Sequence, residues 1–97
     1  MMVLVTYDVS FDTPDGKRRL RRLAKTCLNY GIRVQYSVFE CEIDSTQLLA
    51  FKRELLDIYD PQVDSLRFYQ LGKNWRRKVE HHGAKAAVDL FSDDLFI

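Results

Sequence analysis

Apolar residues along this chain alternate between a period near two and a period near 3.6. The opening run Met2-Val3-Leu4-Val5-Thr6-Tyr7-Asp8-Val9 is almost continuous, holds four β-branched residues and ends on a carboxylate. With no Gly or Pro inside it, such a run predicts a buried strand. Thr13-Pro14-Asp15-Gly16 breaks the pattern. Thr13 as N-cap with Pro14 at the first helical position predicts a helix start, since the missing proline N–H costs nothing there. Leu20, Leu23, Ala24, Cys27 and Leu28 then give the i, i+3, i+4, i+7, i+8 stripe of a helix buried on one side. Gly31 after Asn29-Tyr30 is read as its C-terminal stop. Residues 32–43 return to an extended pattern. Val34, Tyr36, Val38, Glu40 and Glu42 lie on one face, and Gln35, Ser37, Phe39, Cys41 and Ile43 on the other. No hairpin signal lies within them, so they read as one long strand or two short segments joined by a bend. Asp44 with Gln47 resembles a capping box. It opens a second helix whose inner stripe is Leu48, Phe51, Leu55, Ile58 and Tyr59 and which Asp60-Pro61 ends. Leu66-Arg67-Phe68-Tyr69-Gln70-Leu71, closed by Gly72, is a further strand.

From Lys73 the periodicity loosens. Residues 77–82 allow a short strand with Val79 inward or a basic connecting arm. Residues 84–97 carry Val88-Asp89-Leu90-Phe91 and Leu95-Phe96-Ile97, apolar groups that a 97-residue chain has little interior to bury. Such a tail predicts exchange with a partner subunit or docking on another protein. The element order predicts an α+β, ferredoxin-like βαββαβ sandwich: one mostly antiparallel sheet with two helices on one face. Residues 1–97 form one domain, with the core in 1–72 and a basic arm and exchanged tail in 73–97.

Composition adds charge segregation. The chain is 46% hydrophobic and 30% charged, which excludes intrinsic disorder. The net charge of +1 conceals two basic blocks. Lys17, Arg18, Arg19, Arg21, Arg22 and Lys25 hold no acid among them, and Lys73, Arg76, Arg77, Lys78 and Lys85 enclose only Glu80. Bases without interleaved acids forgo the usual i, i+4 pairs and leave one face able to hold a polyanion. Cys27 and Cys41 have no metal-type spacing and read as reduced, buried thiols of a cytoplasmic protein. No secretory signal or membrane span is expected.

An acid at the carboxyl end of a core strand stands where α/β proteins place ligands and metals, although an Asp that merely caps a loop gives the same pattern. In one reading Asp8 holds Mg²⁺ for phosphodiester cleavage while arginines hold the phosphates. Magnesium takes one or two carboxylates plus phosphate oxygens. Asp12 and Asp15 lie in a loop and a helix start, so a second carboxylate has to come from another Asp8 in a symmetric dimer. In a second reading the basic helix, Arg33 and the 73–78 cluster bind nucleic acid without chemistry. Phe39, Phe68 and Tyr69 lack the glycine-bearing signature of an RNA-recognition sheet and are assigned to the core. A small-molecule regulatory domain needs no clustered bases and ranks last. His81 and His82, adjacent on an extended segment, point apart and share no metal site. Trp75 is either a packing anchor or a stacking platform. Ser10 and Ser37 have no partner base, which leaves nucleophilic catalysis unsupported.

Tyr7-Asp8-Val9, Lys17-Arg18-Arg19-Leu20 and Arg33-Val34-Gln35-Tyr36-Ser37-Val38-Phe39-Glu40, in this order and spacing, resemble the small CRISPR-associated adaptation proteins of the Cas2 family. Asp64-Ser65-Leu66-Arg67-Phe68-Tyr69 and Lys78-Val79-Glu80-His81-His82-Gly83 extend the likeness over nearly the whole chain. The resemblance implies a ferredoxin-like homodimer with an exchanged tail strand that joins a CRISPR integrase to insert new spacers. It also implies Mg²⁺-dependent endonuclease activity on single-stranded RNA or double-stranded DNA. By matching positions Asp8 is the catalytic metal ligand, one from each subunit. Arg18, Arg19, Arg22 and Arg33 contact nucleic acid, and Tyr7, Ser10, Ser37 and Phe39 lie beside the site.

Overall fold

The computed structural model describes residues 1–83. In chain order these form β1 (Met2–Asp8), α1 (Gly16–Leu28), β2 (Ile32–Gln35), β3 (Val38–Glu42), α2 (Ser45–Leu56) and β4 (Ser65–Gly72), followed by a 3-10 turn at Trp75–Arg77. The strands make one sheet in the order β2-β3-β1-β4, with every neighbouring pair antiparallel. This is the expected α+β sandwich. Its period-two burial is plain in β1: Val3, Val5 and Tyr7 are buried, while Leu4 and Thr6 are half-buried and Asp8 is exposed. The buried set meets Phe39 and Cys41 of β3, Leu23 and Cys27 of α1, and Leu48, Phe51 and Leu55 of α2 in one cluster, so both helices cover the same face. Phe51 stacks on Tyr30 at 4.4 Å between ring centroids and meets Phe68 edge-on at 6.2 Å. Each fully buried large side chain of this kind contributes roughly 1.5–3 kcal/mol. The thiols of Cys27 and Cys41 are buried as expected; burial pushes both up, Cys41 to about 12, so neither ionises near neutral pH.

Among the described residues no helix covers the opposite face. Register places Val38, Thr6 and Arg67 in one cross-strand row and Ile32, Glu40, Leu4 and Tyr69 in the next. Tyr69 therefore does not belong to the core, as expected for it, but stands 41% exposed on this face.

Local detail bears out some expectations and corrects others. Of the two forms expected of residues 32–43, the two short segments are found, as a hairpin turning at Tyr36-Ser37. No described non-glycine residue has a positive φ, so this is not the turn that Asn-Gly advertises. A register shift between Arg33 and Gln35 absorbs the irregularity. Tyr7 pins the tip: its N–H donates to the Ser37 carbonyl at 3.2 Å and its hydroxyl to the Tyr36 carbonyl at 3.4 Å. α1 starts at Gly16 with Asp15 as N-cap, because the Thr13 hydroxyl is engaged by Arg19 and not by the helix end. The capping box of α2 forms as expected, the Asp44 carboxylate accepting from Gln47 N–H at 2.7 Å and the Gln47 side chain from Asp44 N–H at 3.0 Å. α2 stops at Leu56, and Ile58 and Tyr59 pack on the core from the loop beyond it. Residues 78–83 form no strand, and the tail 84–97 with its expected exchange lies outside the described residues.

Gly31 has no positive φ, so it is not a left-handed helix stop. It is glycine because a Cβ there would collide with the Glu40 carbonyl and the Cys41 sulfur where the chain passes under β3. Gly31→Ala is expected to lower the melting temperature by roughly 5–20 °C, the range that overpacking commonly produces in a domain of this size. A scanning calorimeter decides it, and an unchanged transition would mean that this approach is loose.

Candidate metal and nucleic-acid site

Asp8 ends β1 opposite Ser65 of β4, exposed and on the sheet face that neither α1 nor α2 covers. What fixes its surroundings is the residue next to that partner. Asp64 is 7% exposed and accepts from Arg19 Nε at 2.7 Å, Arg19 Nη2 at 3.2 Å, Ser10 N–H at 3.0 Å and Asp60 N–H at 2.9 Å. Arg19 Nη2 also donates to the Ser10 carbonyl at 3.2 Å and to the Thr13 hydroxyl at 3.0 Å. Burial pushes the Asp64 carboxyl upward, but the Arg19 hydrogen bonds and the Asp60 and Ser10 N–H groups outweigh it and hold the carboxyl below its ordinary value. The loop leaving Asp8 is thereby clamped to the start of β4.

This corrects the expectation for Arg19. The resemblance implies a nucleic-acid contact there, as for its neighbours, yet Arg19 is 8% exposed with its fork committed to Asp64, Ser10 and Thr13. Its spacing carried the signal: Arg19, Leu23 and Cys27 recur every four residues, and all three are buried. Asp64 itself went unassigned because its partner lies 45 residues away.

Arg33 pairs with Phe39 and so lies on the helix-covered face, opposite to that of Asp8; there Tyr7 and Phe39 stack at 6.0 Å between centroids and the Arg33 guanidinium lies 5.2 Å from the Phe39 ring centroid. Burial raises the Tyr7 hydroxyl above its usual value, with the neighbouring Arg33 opposing. Tyr7 and Phe39 are thus buried supports of Arg33, which is half-buried beside them. Ser37 meets β1 through its carbonyl, and the Ser10 hydroxyl accepts from Asp12 N–H at 3.2 Å.

The remaining bases of α1 point to solvent. Lys17, Arg18, Arg21, Arg22 and Lys25 are all exposed and span only about 140° of the helix circumference. Among the described residues the only ion pair from this block is that of Arg19. Arg22 and Lys25 share a groove with Glu54 and Asp57 of the α2 side, which softens the positive potential at that end and leaves Lys17, Arg18 and Arg21 as its strongest part. His81 and His82 make separate contacts, with the Gly83 carbonyl and with Glu80, and share no site. Trp75 is half-buried under the Arg76 guanidinium, 4.8 Å from its ring centroid.

Among the described residues no three His, Cys, Asp or Glu side chains gather where an ion could sit. Asp8 offers an accessible hard-oxygen ligand, whereas the carboxylate nearest to it in sequence register, Asp64, has both oxygens occupied. One exposed carboxylate is compatible with Mg²⁺, which takes one or two carboxylates together with phosphate oxygens.

Comparison with known proteins places this geometry. The family model described as CRISPR associated protein Cas2 matches residues 1–79. The CRISPR-associated endoribonuclease Cas2 of Chlorobaculum tepidum is 61% identical over 90 residues, 93% of this chain and 94% of that one. The CRISPR-associated endonuclease Cas2 of Halalkalibacterium halodurans is 57% identical over 93% of this chain and 94% of that one. Among solved structures, Streptococcus pyogenes Cas2 at pH 6.5 superposes with a TM-score of 0.76 at 55% identity, covering 86% of this chain and all of the other. A strand-end aspartate beside an arginine-bearing hairpin and a basic helix, on this sheet order, is accordingly the arrangement of a chain that belongs to the CRISPR-associated Cas2 family.

Proposed function

We propose that two copies of this chain bind nucleic acid and, with Mg²⁺, cleave its phosphodiester bonds, in partnership with a CRISPR integrase during spacer acquisition. The observation that carries the reading is the exposed Asp8 at the end of β1, between the Arg33 hairpin and the clamped loop that leads to the basic face of α1. Close relatives bear the names endoribonuclease and endonuclease, which supports the same reaction class here. The uncovered sheet face, with Leu4, Ile32 and Val38 half-buried and Tyr69 exposed, suits an isologous contact with a second copy. That contact brings a second Asp8 to complete the ligand set. The two Asp8 carboxylates would hold Mg²⁺, which when bound would supply Lewis-acid polarisation of the phosphate and a more acidic attacking water. Arg33, braced by Phe39, and the exposed bases of α1 hold the phosphates and offset charge growing on their oxygens.

Incubation with single-stranded RNA and with duplex DNA tests this, with Mg²⁺ present or chelated by EDTA. Cleavage with Mg²⁺ and none with EDTA is expected; equal cleavage in both would remove the metal. Binding without cleavage under either condition supports the second reading, a non-catalytic scaffold bridging integrase dimers, which the α1 stripe favours because it needs no Asp8. Either way binding is electrostatic. Log affinity for duplex DNA should fall against log salt with a slope of roughly 0.9 per phosphate contacted. A flat titration would exclude the basic face as the contact surface.

A further inference from the structure

Tyr36 is 89% exposed, the most exposed of the large hydrophobic side chains among the described residues. It occupies the tip of the β2–β3 hairpin, where turn chemistry favours small or polar residues. An aromatic ring left wholly in water forgoes the burial that normally makes such rings core residues. Its backbone is nonetheless fixed. The Tyr36 carbonyl accepts from the Tyr7 hydroxyl at 3.4 Å, and the adjacent Ser37 carbonyl accepts from Tyr7 N–H at 3.2 Å. Tyr7 immediately precedes Asp8, and Arg33 stands three positions back on the same hairpin, about 10 Å along an extended strand. A solvent-facing ring on a fixed backbone thus shares one end of the sheet with the candidate metal ligand, on the hairpin that also carries Arg33. Phe11, 58% exposed in the loop after Asp8, adds a second ring at that end.

We propose that Tyr36 is a stacking platform for an unpaired nucleobase and makes the site bind single-stranded in preference to duplex nucleic acid. The proposal rests on the nucleic-acid reading above. Every base has a π-face, so stacking is tolerant of sequence, and phosphates held by Arg33 and α1 leave a splayed base free to reach the ring. In an intact duplex the bases stack on one another and Tyr36 gains nothing.

Fluorescence anisotropy with wild type, Tyr36→Ala and Tyr36→Phe tests it, on a single-stranded RNA, an abasic strand of equal length and a duplex DNA. Tyr36→Ala should weaken single-strand binding by about 5- to 150-fold and leave duplex binding unchanged. Tyr36→Phe should stay within about twofold of wild type, since it keeps the ring. Wild type should bind the abasic strand about as weakly as Tyr36→Ala binds the RNA. Equal single-strand affinities for wild type and Tyr36→Ala would overturn the stacking role while leaving the nucleic-acid reading intact. Equal losses on both substrates, or dissociation of a wild-type dimer in sedimentation of Tyr36→Ala, would assign the residue to hairpin structure or subunit contact and overturn it as well. Wild type that binds none of the three probes at low salt would defeat the underlying reading and this one together.

Discussion

Asp8→Ala should lower Mg²⁺-dependent cleavage by at least about 100-fold, because loss even of an outer partner of a metal ligand costs 10- to 100-fold. The same variant should melt within error of wild type, since the side chain is exposed and an exposed substitution changes stability by about 0.5 kcal/mol at most. Without Mg²⁺ its affinity for nucleic acid should rise slightly, an acid having been removed from beside a basic surface. Rate, melting temperature and metal-free affinity therefore move differently in one protein. Asp8→Ala that still cleaves as fast as wild type with Mg²⁺ present would dispose of the metal mechanism.

Arg19→Ala and Asp64→Ala are expected to do the opposite, lowering the melting temperature by more than about 10 °C, since each leaves a buried partner uncompensated. Arg18→Ala, one residue away but exposed, should weaken nucleic-acid binding and leave the melting temperature alone. Replacing Arg19 and Asp64 together by leucine should cost less than the two single losses added, as expected for one shared interaction. Acid titration reads the same pair. Asp64 holds its proton less tightly folded than unfolded, so it adds stability above the ordinary carboxylate range and loses that contribution as pH falls through its own lowered value. Asp64→Asn, with no carboxyl to titrate, should show a flatter loss of stability across that acid window. Equal slopes for wild type and Asp64→Asn would mean that other carboxylates govern acid unfolding.

The sequence was most legible where local chemistry decides structure. The Asp44–Gln47 capping box placed α2, and the β-branched opening run placed β1, because both signals are complete within a few residues. The two-strand form of residues 32–43 was among the readings, but the place of its turn carried no signal, because Tyr36-Ser37 turns without glycine, asparagine or a positive φ and is held instead by Tyr7 from another strand. Gly31 was found at the right place for the wrong reason, its constraint being the closeness of β3 and not its own backbone angle. Asp8 and the exposed arginines of α1 stood out by residue type. Arg19 looked like them by type and differed only by phase, and Asp64 declares itself only through contacts made across the fold.

The reach of those contacts bears on how the chain is born. The Asp64 hydrogen bond to Ser10 closes a span of 54 residues, so the loop after Asp8 acquires its position only after β4 has emerged from the ribosome. Until then residues 1–35 carry seven bases against three acids, with Arg19 lacking its carboxylate. The nascent segment is an unshielded polycation in an RNA-rich neighbourhood, and closure of the clamp reduces that exposure by one arginine while the other bases of α1 stay in solvent.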